Sequence, residues 1–328
     1  MLFSLRRGRG LTRTLIWVVL GGLSLLAGCA GADLSKRTYE RTTITPTPGS
    51  GPVNEPSLAP AALRDVDVCA LLAPEVMRDI GTPDGEPYAT NAESCSRSFT
   101  DARGNEVRVG LTLGDAVVGL PEKATGGIEG LPARADRLDE DTCFVDVLTS
   151  EDPAMGVRAH LSAADGDACV TGYTVLGQVI RQLRSAPPRV DVVRHSLRTL
   201  DVCTRFGTFA MGRFLGGDID ARPYRLHGCH FSAGSRVAMV RFRFGRDILT
   251  NERTKKTTLP GGVTAFVASS GTGTADCDVE WVHRRNGDHI AETVRVSYQR
   301  VGGDETPKQA CRKAVTLAKS VLPELPGN

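Results

Sequence analysis

The residues of this chain best suited to chemistry are its nine cysteines, and eight of them fall into a pattern. Cys69 and Cys95 lie 26 residues apart, as do Cys203 and Cys229, while Cys95 to Cys143 and Cys229 to Cys277 are both 48. Three consecutive cysteines thus recur at one offset of 134, the mark of a tandem duplication. Four thiols per copy would suit zinc or disulfides. Zinc sites favour close C-x2-C pairs, which this sequence lacks, so two disulfides per copy are expected, with three connectivities open in each. The favoured set is Cys69 with Cys95, Cys143 with Cys169, Cys203 with Cys229 and Cys277 with Cys311, because neighbours in the pattern close short loops and leave each copy self-contained. The last interval is 26 in the first copy and 34 in the second. Longer hairpins around Asn286-Gly287-Asp288 and Gly302-Gly303-Asp304 would absorb the difference at little cost.

Other chemistry-bearing residues have plainer readings. His227, Cys229 and His230 lie close together as metal ligands do, but Cys229 is the repeat counterpart of Cys95 and belongs to a disulfide. His283 and His289 flank the Asn286-Gly287 turn and read as solvent-facing hairpin residues. Asp136, Asp139, Glu140 and Asp141 lack the oxygen-ligand spacing of a calcium loop. Ser269 to Gly273 matches neither the G-x-S-x-G elbow nor a phosphate loop, and reads as a strand connection. No cofactor or metal is expected. The one asymmetry of charge is basic: Arg236, Arg241, Arg243 and Arg246, followed by Arg253, Lys255 and Lys256. Alternation places Arg241 and Arg243 on one face of a strand, where they would meet an anionic lipid headgroup or wall polymer.

The elements that must position these residues follow from hydrophobic periodicity. Each copy opens with a helix-like stretch, Cys69 to Ile80 and Cys203 to Phe214, ended by Gly81 and by Gly216-Gly217. Period-two runs follow at Val107 to Leu113, Val157 to Leu161, Val240 to Phe244, Val263 to Val267, Val279 to His283 and Val294 to Tyr298, with turns at Asp101 to Asn105, Asp165 to Asp167 and Asn286 to Asp288. An amphipathic helix starts at the last cysteine of each copy, Cys169 and Cys311. The expected class is α+β: two tandem copies of a helix, antiparallel sheet, helix domain. Leu63, Arg64, Asp67 and Val68 match Leu197, Arg198, Asp201 and Val202 at the same offset, and Pro187-Pro188 marks the joint, giving domains at 63–186 and 187–326.

Arg6, Arg7, Arg9 and Arg13, then the apolar run Leu15 to Leu26, have the layout of an export leader, too short to span a bilayer comfortably. Leu26-Ala27-Gly28-Cys29 resembles the bacterial lipobox, which implies cleavage after residue 28 and acyl chains, palmitate among them, on Cys29. Two or three chains suffice for stable anchoring. Residues 29–62 are rich in Thr, Pro, Gly and Ser and are expected to form a disordered tether. Of 40 Lys and Arg residues, these four arginines lie in the leader, so 36 bases face 38 acids in the remainder, a balance that disfavours nucleic acid. The chain is expected at the outer face of the cytoplasmic membrane, lipid-anchored.

Asp67-Val68-Cys69-Ala70-Leu71-Leu72-Ala73-Pro74-Glu75, with the second cysteine and the closing cysteine-bearing helix, resembles the actinobacterial secreted lipoproteins grouped as a family of unknown function with a C-A-L-L-T-P opening. The likeness covers Leu63 to Leu183 and more faintly the second copy, where Cys203-Thr204-Arg205-Phe206 departs from it. More distantly, the two-disulfide plan is similar to the extracellular sensor domains of mycobacterial serine/threonine kinases. These resemblances imply a cell-envelope binding or sensing module and carry no catalytic residues. A non-enzymatic module with its site in the cleft between the copies is therefore expected. The alternatives are an assembly factor for an envelope complex, or a hydrolase using an acid such as Asp139 or Asp278 with His283.

Overall fold

Alternation of apolar and polar residues builds both halves of the protein. The computed structural model describes residues 53–163, 166–246, 248, 254–269, 275–286 and 290–327, apart from the side chains of residues 121, 208 and 209. Cys29, the leader-like residues 1–28, Asp165, Arg253, Ser270 to Gly273, Gly287, Asp288 and His289 lie outside the described residues. The first copy contains β1 (Thr82–Asn91), β2 (Ser94–Thr100), β3 (Glu106–Ala116), β4 (Gly126–Ile128), β5 (Leu131–Arg137), β6 (Thr142–Glu151) and β7 (Ala154–Ala163), then helix α1 (Ala168–Ser185). The second begins with α2 (Val202–Leu215) and continues through β8 (Asp220–Arg225), β9 (Gly228–Ala233), β10 (Arg236–Arg246), β11 (Lys255–Thr258), β12 (Thr264–Ala268), β13 (Ala275–Arg285), β14 (Ile290–Arg300) and α3 (Pro307–Val321).

The sheets are antiparallel and share one topology. Their orders are β1-β2-β3-β7-β6-β5-β4 and, read from β8, β8-β9-β10-β14-β13-β12-β11. The register reveals an adjustment beneath the equal cysteine intervals. Cys95 pairs with Leu111 and Cys229 with Val240, so β3 and β10 are offset by 129 rather than 134. The β2–β3 turn is longer in the first copy, and residues between β10 and β13 restore the count, since Val147 and Trp281 occupy matching places opposite Ala133 and Ala265.

Helices cover one face of each sheet, and each disulfide ties an opening or closing segment to a strand. The bonds are Cys69–Cys95, Cys143–Cys169, Cys203–Cys229 and Cys277–Cys311, the favoured set. Helix α1 buries Gly172, Leu176 and Ile180 along one row and Val175, Val179 and Leu183 along the next, the spacing of a single helical face. Gly172 is required there: a Cβ would stand 2.5 Å from Val145 Cγ2, so only glycine lets the helix press onto β6. Asp167 caps α1 through the N–H groups of Cys169 and Val170, and Thr306 with Gln309 forms a capping box on α3. Trp281 and Tyr298 fill the second core, fully buried beneath the small residues Ala310, Ala314 and Ala318 of α3.

Two expectations change. The opening segment of the first copy is a single 3-10 turn, Ala70–Leu72, rather than a helix reaching Ile80. Ala73 precedes Pro74, whose ring pushes it into the extended region and ends the turn. At the matching place in the second copy, Gly207 kinks α2 at φ 56° and the helix resumes. Residues 53–62, expected to belong to the tether, are instead packed on the first domain. Val53 packs beside Val117, Leu120 and Leu148, Leu58 is fully buried, and Glu55 accepts hydrogen bonds from Arg184 at 2.5 and 2.8 Å. A Pro-rich stretch that offers one leucine and one carboxylate to matching partners becomes part of the domain.

Candidate functional site

The sequence-derived candidates separate once folded. In β10, Arg241 and Arg243 point to the sheet face away from the helices, whereas Arg236 donates to the Gly216 carbonyl at the end of α2 and Arg246 lies 5.8 Å from the Tyr88 ring. The two on the open face already have carboxylates: Arg243 Nη1 is 2.7 Å from Glu280 Oε1, and Arg241 Nη2 is 3.7 Å from Glu93 Oε2. The expected anionic-ligand face is therefore divided between two sides of the sheet and internally neutralised. Lys255 and Lys256 stay exposed on β11. His283 is buried on the core side of β13, with Nε2 3.2 Å from the His195 carbonyl, and burial pushes its pKa down, so it is not a solvent-facing residue. Asp278 sits on the opposite face beside Arg295 at 3.8 Å, which separates that acid from His283. Cys229 enters its disulfide, and His227 and His230 diverge to different environments. Asp136 pairs with Arg134, and Asp139 accepts from the Asp141 N–H. Among the described residues no three His, Cys, Asp or Glu side chains come together to hold a metal.

What the fold brings together instead is the seam between the copies, inside a single compact unit, Thr45–Asn328. The β1–β2 turn and the β8–β9 turn, equivalent by the repeat, meet there. Glu93 and His227 are separated by 134 residues, the repeat offset itself, and they contact each other. A residue touches its own equivalent only at a two-fold axis, so the copies are related as an isologous pair joined in one chain. The surrounding contacts agree. Arg64 bonds Asp201 across the seam, and the repeat mates of those two, Arg198 and Asp67, also lie within electrostatic reach of one another. Leu226, from the second copy, belongs to the core of the first and occupies the space over Gly114.

At the axis, Glu93 is 3 % exposed. Its Oε1 accepts from the His227 backbone N–H at 2.9 Å and lies 3.0 Å from Nδ1, while Nε2 of the same ring is 2.7 Å from the Arg198 carbonyl. The ring is thus held between the Glu93 carboxylate on one side and the Arg198 carbonyl on the other. Burial raises the Glu93 pKa, but the hydrogen bond and charge of His227 and the charge of Arg241 outweigh it and hold the carboxyl below its ordinary value. A carboxylate with a depressed folded pKa stabilises the fold above its unfolded pKa, and that contribution is lost as pH falls through the folded value. Acidification is thus expected to lower the denaturation midpoint, and Glu93→Gln to flatten that dependence, as urea titrations at a series of acidic pH values would measure.

Beyond Glu93 a ladder of charges crosses the open face of the first sheet. Arg225 stands 3.7 Å from Asp115, Asp115 is 2.7 Å from Arg158, and Arg158 bonds both oxygens of Asp146 at 2.6 and 3.0 Å. Glu280 and Arg295 repeat the Asp146–Arg158 pair on the second sheet. Asp146 and Glu280 are buried yet matched by arginines, and Asp115 is half-buried between two of them.

Two cavities flank the axis. One, of about 270 Å³, is bounded by Asp67, Ala89, Asn91 and Ala92 of the first copy, by Val193, Ser196 and Arg198 after the joint, and by Phe244, Ile290 and Glu292. The other, of about 370 Å³, is bounded by Asp201, Pro223, Arg225 and Leu226 together with Arg64, Pro153 and Met155. Asp67 with Asp201, Ala89 with Pro223, Asn91 with Arg225, Ala92 with Leu226 and Arg198 with Arg64 are repeat pairs, so these are the same cavity seen twice about the axis. In the first, Glu292 is 2 % exposed and accepts from Ser196 Oγ and the Leu197 N–H, both at 2.8 Å. Burial outweighs Asp67, Asp65 and Glu292 in holding the Arg198 guanidinium below its usual pKa. Neither Glu93 nor Glu292 stands out in the sequence; laying the copies over each other at 134 would have placed Glu93 on His227.

Gly114 sets how closely the copies approach. A Cβ there would lie 2.2 Å from Leu226 Cγ, and the residue has φ +63°. Gly114→Val is expected to cost about 1–3 kcal/mol in chemical denaturation through overpacking, and pairing it with Leu226→Ala to recover part of that loss.

In comparisons with known proteins, no family model and no curated protein matches this chain.

Proposed function

We propose that this chain is a lipid-anchored, extracytoplasmic binding module that is not an enzyme and holds its ligand in the seam between its two copies. The observation that carries this reading is the pair of symmetry-related cavities, built from both copies at once and walled by apolar side chains around a few fixed polar groups, the composition of small-ligand sites. The four disulfides suit an oxidising compartment, and the leader with Cys29 supplies the export and the anchor. On this reading the protein works at the outer face of the cytoplasmic membrane, and the likeness of its opening to envelope lipoproteins points the same way.

The test is native mass spectrometry of the mature protein purified from its own membranes in mild detergent, followed by identification of any co-purified small molecule. A stoichiometric adduct that survives removal of the anchor, and is lost on Val193→Arg at the cavity rim, supports the reading. A clean apo mass together with specific protein crosslinks in the intact envelope would sink it in favour of an assembly role. Cys29→Ser is expected to release the protein from the membrane fraction.

A further inference from the structure

We infer that the cavity at Glu292 takes a compact organic cation, an ammonium group carried on an apolar body; this rests on reading the seam as a ligand site and adds the chemistry of that ligand. Three carboxylates line the cavity, Asp67, Asp191 and Glu292, against one guanidinium, Arg198. Glu292 is the decisive one. It is 2 % exposed, its oxygens are held in place by Ser196 and Leu197, and among the described residues no cation lies within 4.0 Å of it, the Arg198 guanidinium acting on it only from farther across the cavity. A buried carboxylate of this kind is costly without a counter-charge, and two neutral donors compensate it less completely than an ammonium would.

The two-fold mate of the cavity is the internal control. Met155 stands there where the first cavity has Glu292, and Arg225 where it has Asn91, so its lining carries Arg64 and Arg225 against Asp201. One duplicated surface has thus become acidic on one side of the axis and basic on the other. Since the fold accommodates methionine at this place in the first copy, the sheet itself does not require a buried carboxylate in the second. The apolar part of the ligand has its counterpart too. Val193 and Ile290 line the cavity yet are 45 % and 55 % exposed, an apolar rim that a bound hydrocarbon would cover. The volume is at the small end for ligand pockets, which limits the body to a compact one.

The experiment titrates the full-length protein with three probes of one shape, cyclohexylamine, cyclohexanol and cyclohexanecarboxylate at neutral pH, by ligand-observed NMR. The expected result is binding of the amine about tenfold tighter than the alcohol, with the carboxylate weakest. Glu292→Gln keeps an acceptor for the Leu197 N–H and is expected to erase that preference while the protein stays folded by circular dichroism. Val193→Arg, at an exposed position, is expected to abolish binding of all three. Equal or tighter binding of the alcohol or carboxylate, still blocked by Val193→Arg, overturns the assignment of charge and leaves the seam as the site. Amine binding that survives both variants, or no binding of any probe, overturns the inference, and the co-purified ligand then decides the seam separately.

Discussion

Glu93→Ala is expected to lower the unfolding free energy by about 3–5 kcal/mol, as large an effect as any single side chain of the seam should have. The substitution leaves the His227 ring without its carboxylate, the His227 backbone N–H without its acceptor, and Arg241 and Arg225 facing one another at the axis. The penalty comes from stranding buried polar groups, not from the net worth of the pair. Among the described residues Oε2 accepts no hydrogen bond, so the pair is imperfectly compensated even in the native chain. Replacing both partners at once, Glu93→Met with His227→Leu, also removes the stranded imidazole and should therefore cost less than the sum of the two single changes. Urea denaturation followed by circular dichroism gives the coupling through a double-mutant cycle. A loss below about 1 kcal/mol for Glu93→Ala would show that water enters the seam freely.

The second large effect concerns the four disulfides. Loops of 26 and 34 residues each contribute about 3.5 kcal/mol on the chain-entropy model. Together they approach the whole stability of an ordinary domain, about 5–15 kcal/mol. The fully reduced chain is accordingly expected not to hold its tertiary structure. Cys95, Cys143, Cys229 and Cys277 are almost wholly buried, so reductant alone should act slowly, with thiol release accelerating sharply once mild urea opens the domains. Thiol titration alongside near-ultraviolet circular dichroism measures both rates. Retention of native spectra after complete thiol release would mean that the cores alone sustain the fold.

Much of this architecture was legible before folding. Alternation at Val107 to Leu113 and Val294 to Tyr298 marked strands because one sheet face is buried and the other is not, and a helical row such as Val175, Val179 and Leu183 marked α1 for the same reason. Strands β1 and β8 carry no such signal: both lie at sheet edges, and their Pro, Gly and charged residues suit an edge but have no apolar rhythm. In the opening segment Leu71, Leu72, Val76, Met77 and Ile80 have helical spacing, but Pro74 decides the backbone and only one turn forms.

The candidate site divides along the same line. Arg241 and Arg243 share a face, as alternation required, yet their partners Glu93 and Glu280 come from a turn of the other copy and from β13, beyond the intervening β14, which no local pattern announces. The sequence by itself determined the duplication and the α+β class and favoured, without fixing, the disulfide set that forms, because each is written in spacing along the chain. Only the tertiary structure decided that Glu93 meets His227 and that Glu292 lines a cavity made by both copies. The orientation of one copy on the other follows from shape and charge over an entire surface, and a turn residue destined for the axis looks, along the chain, like any other polar residue in a turn.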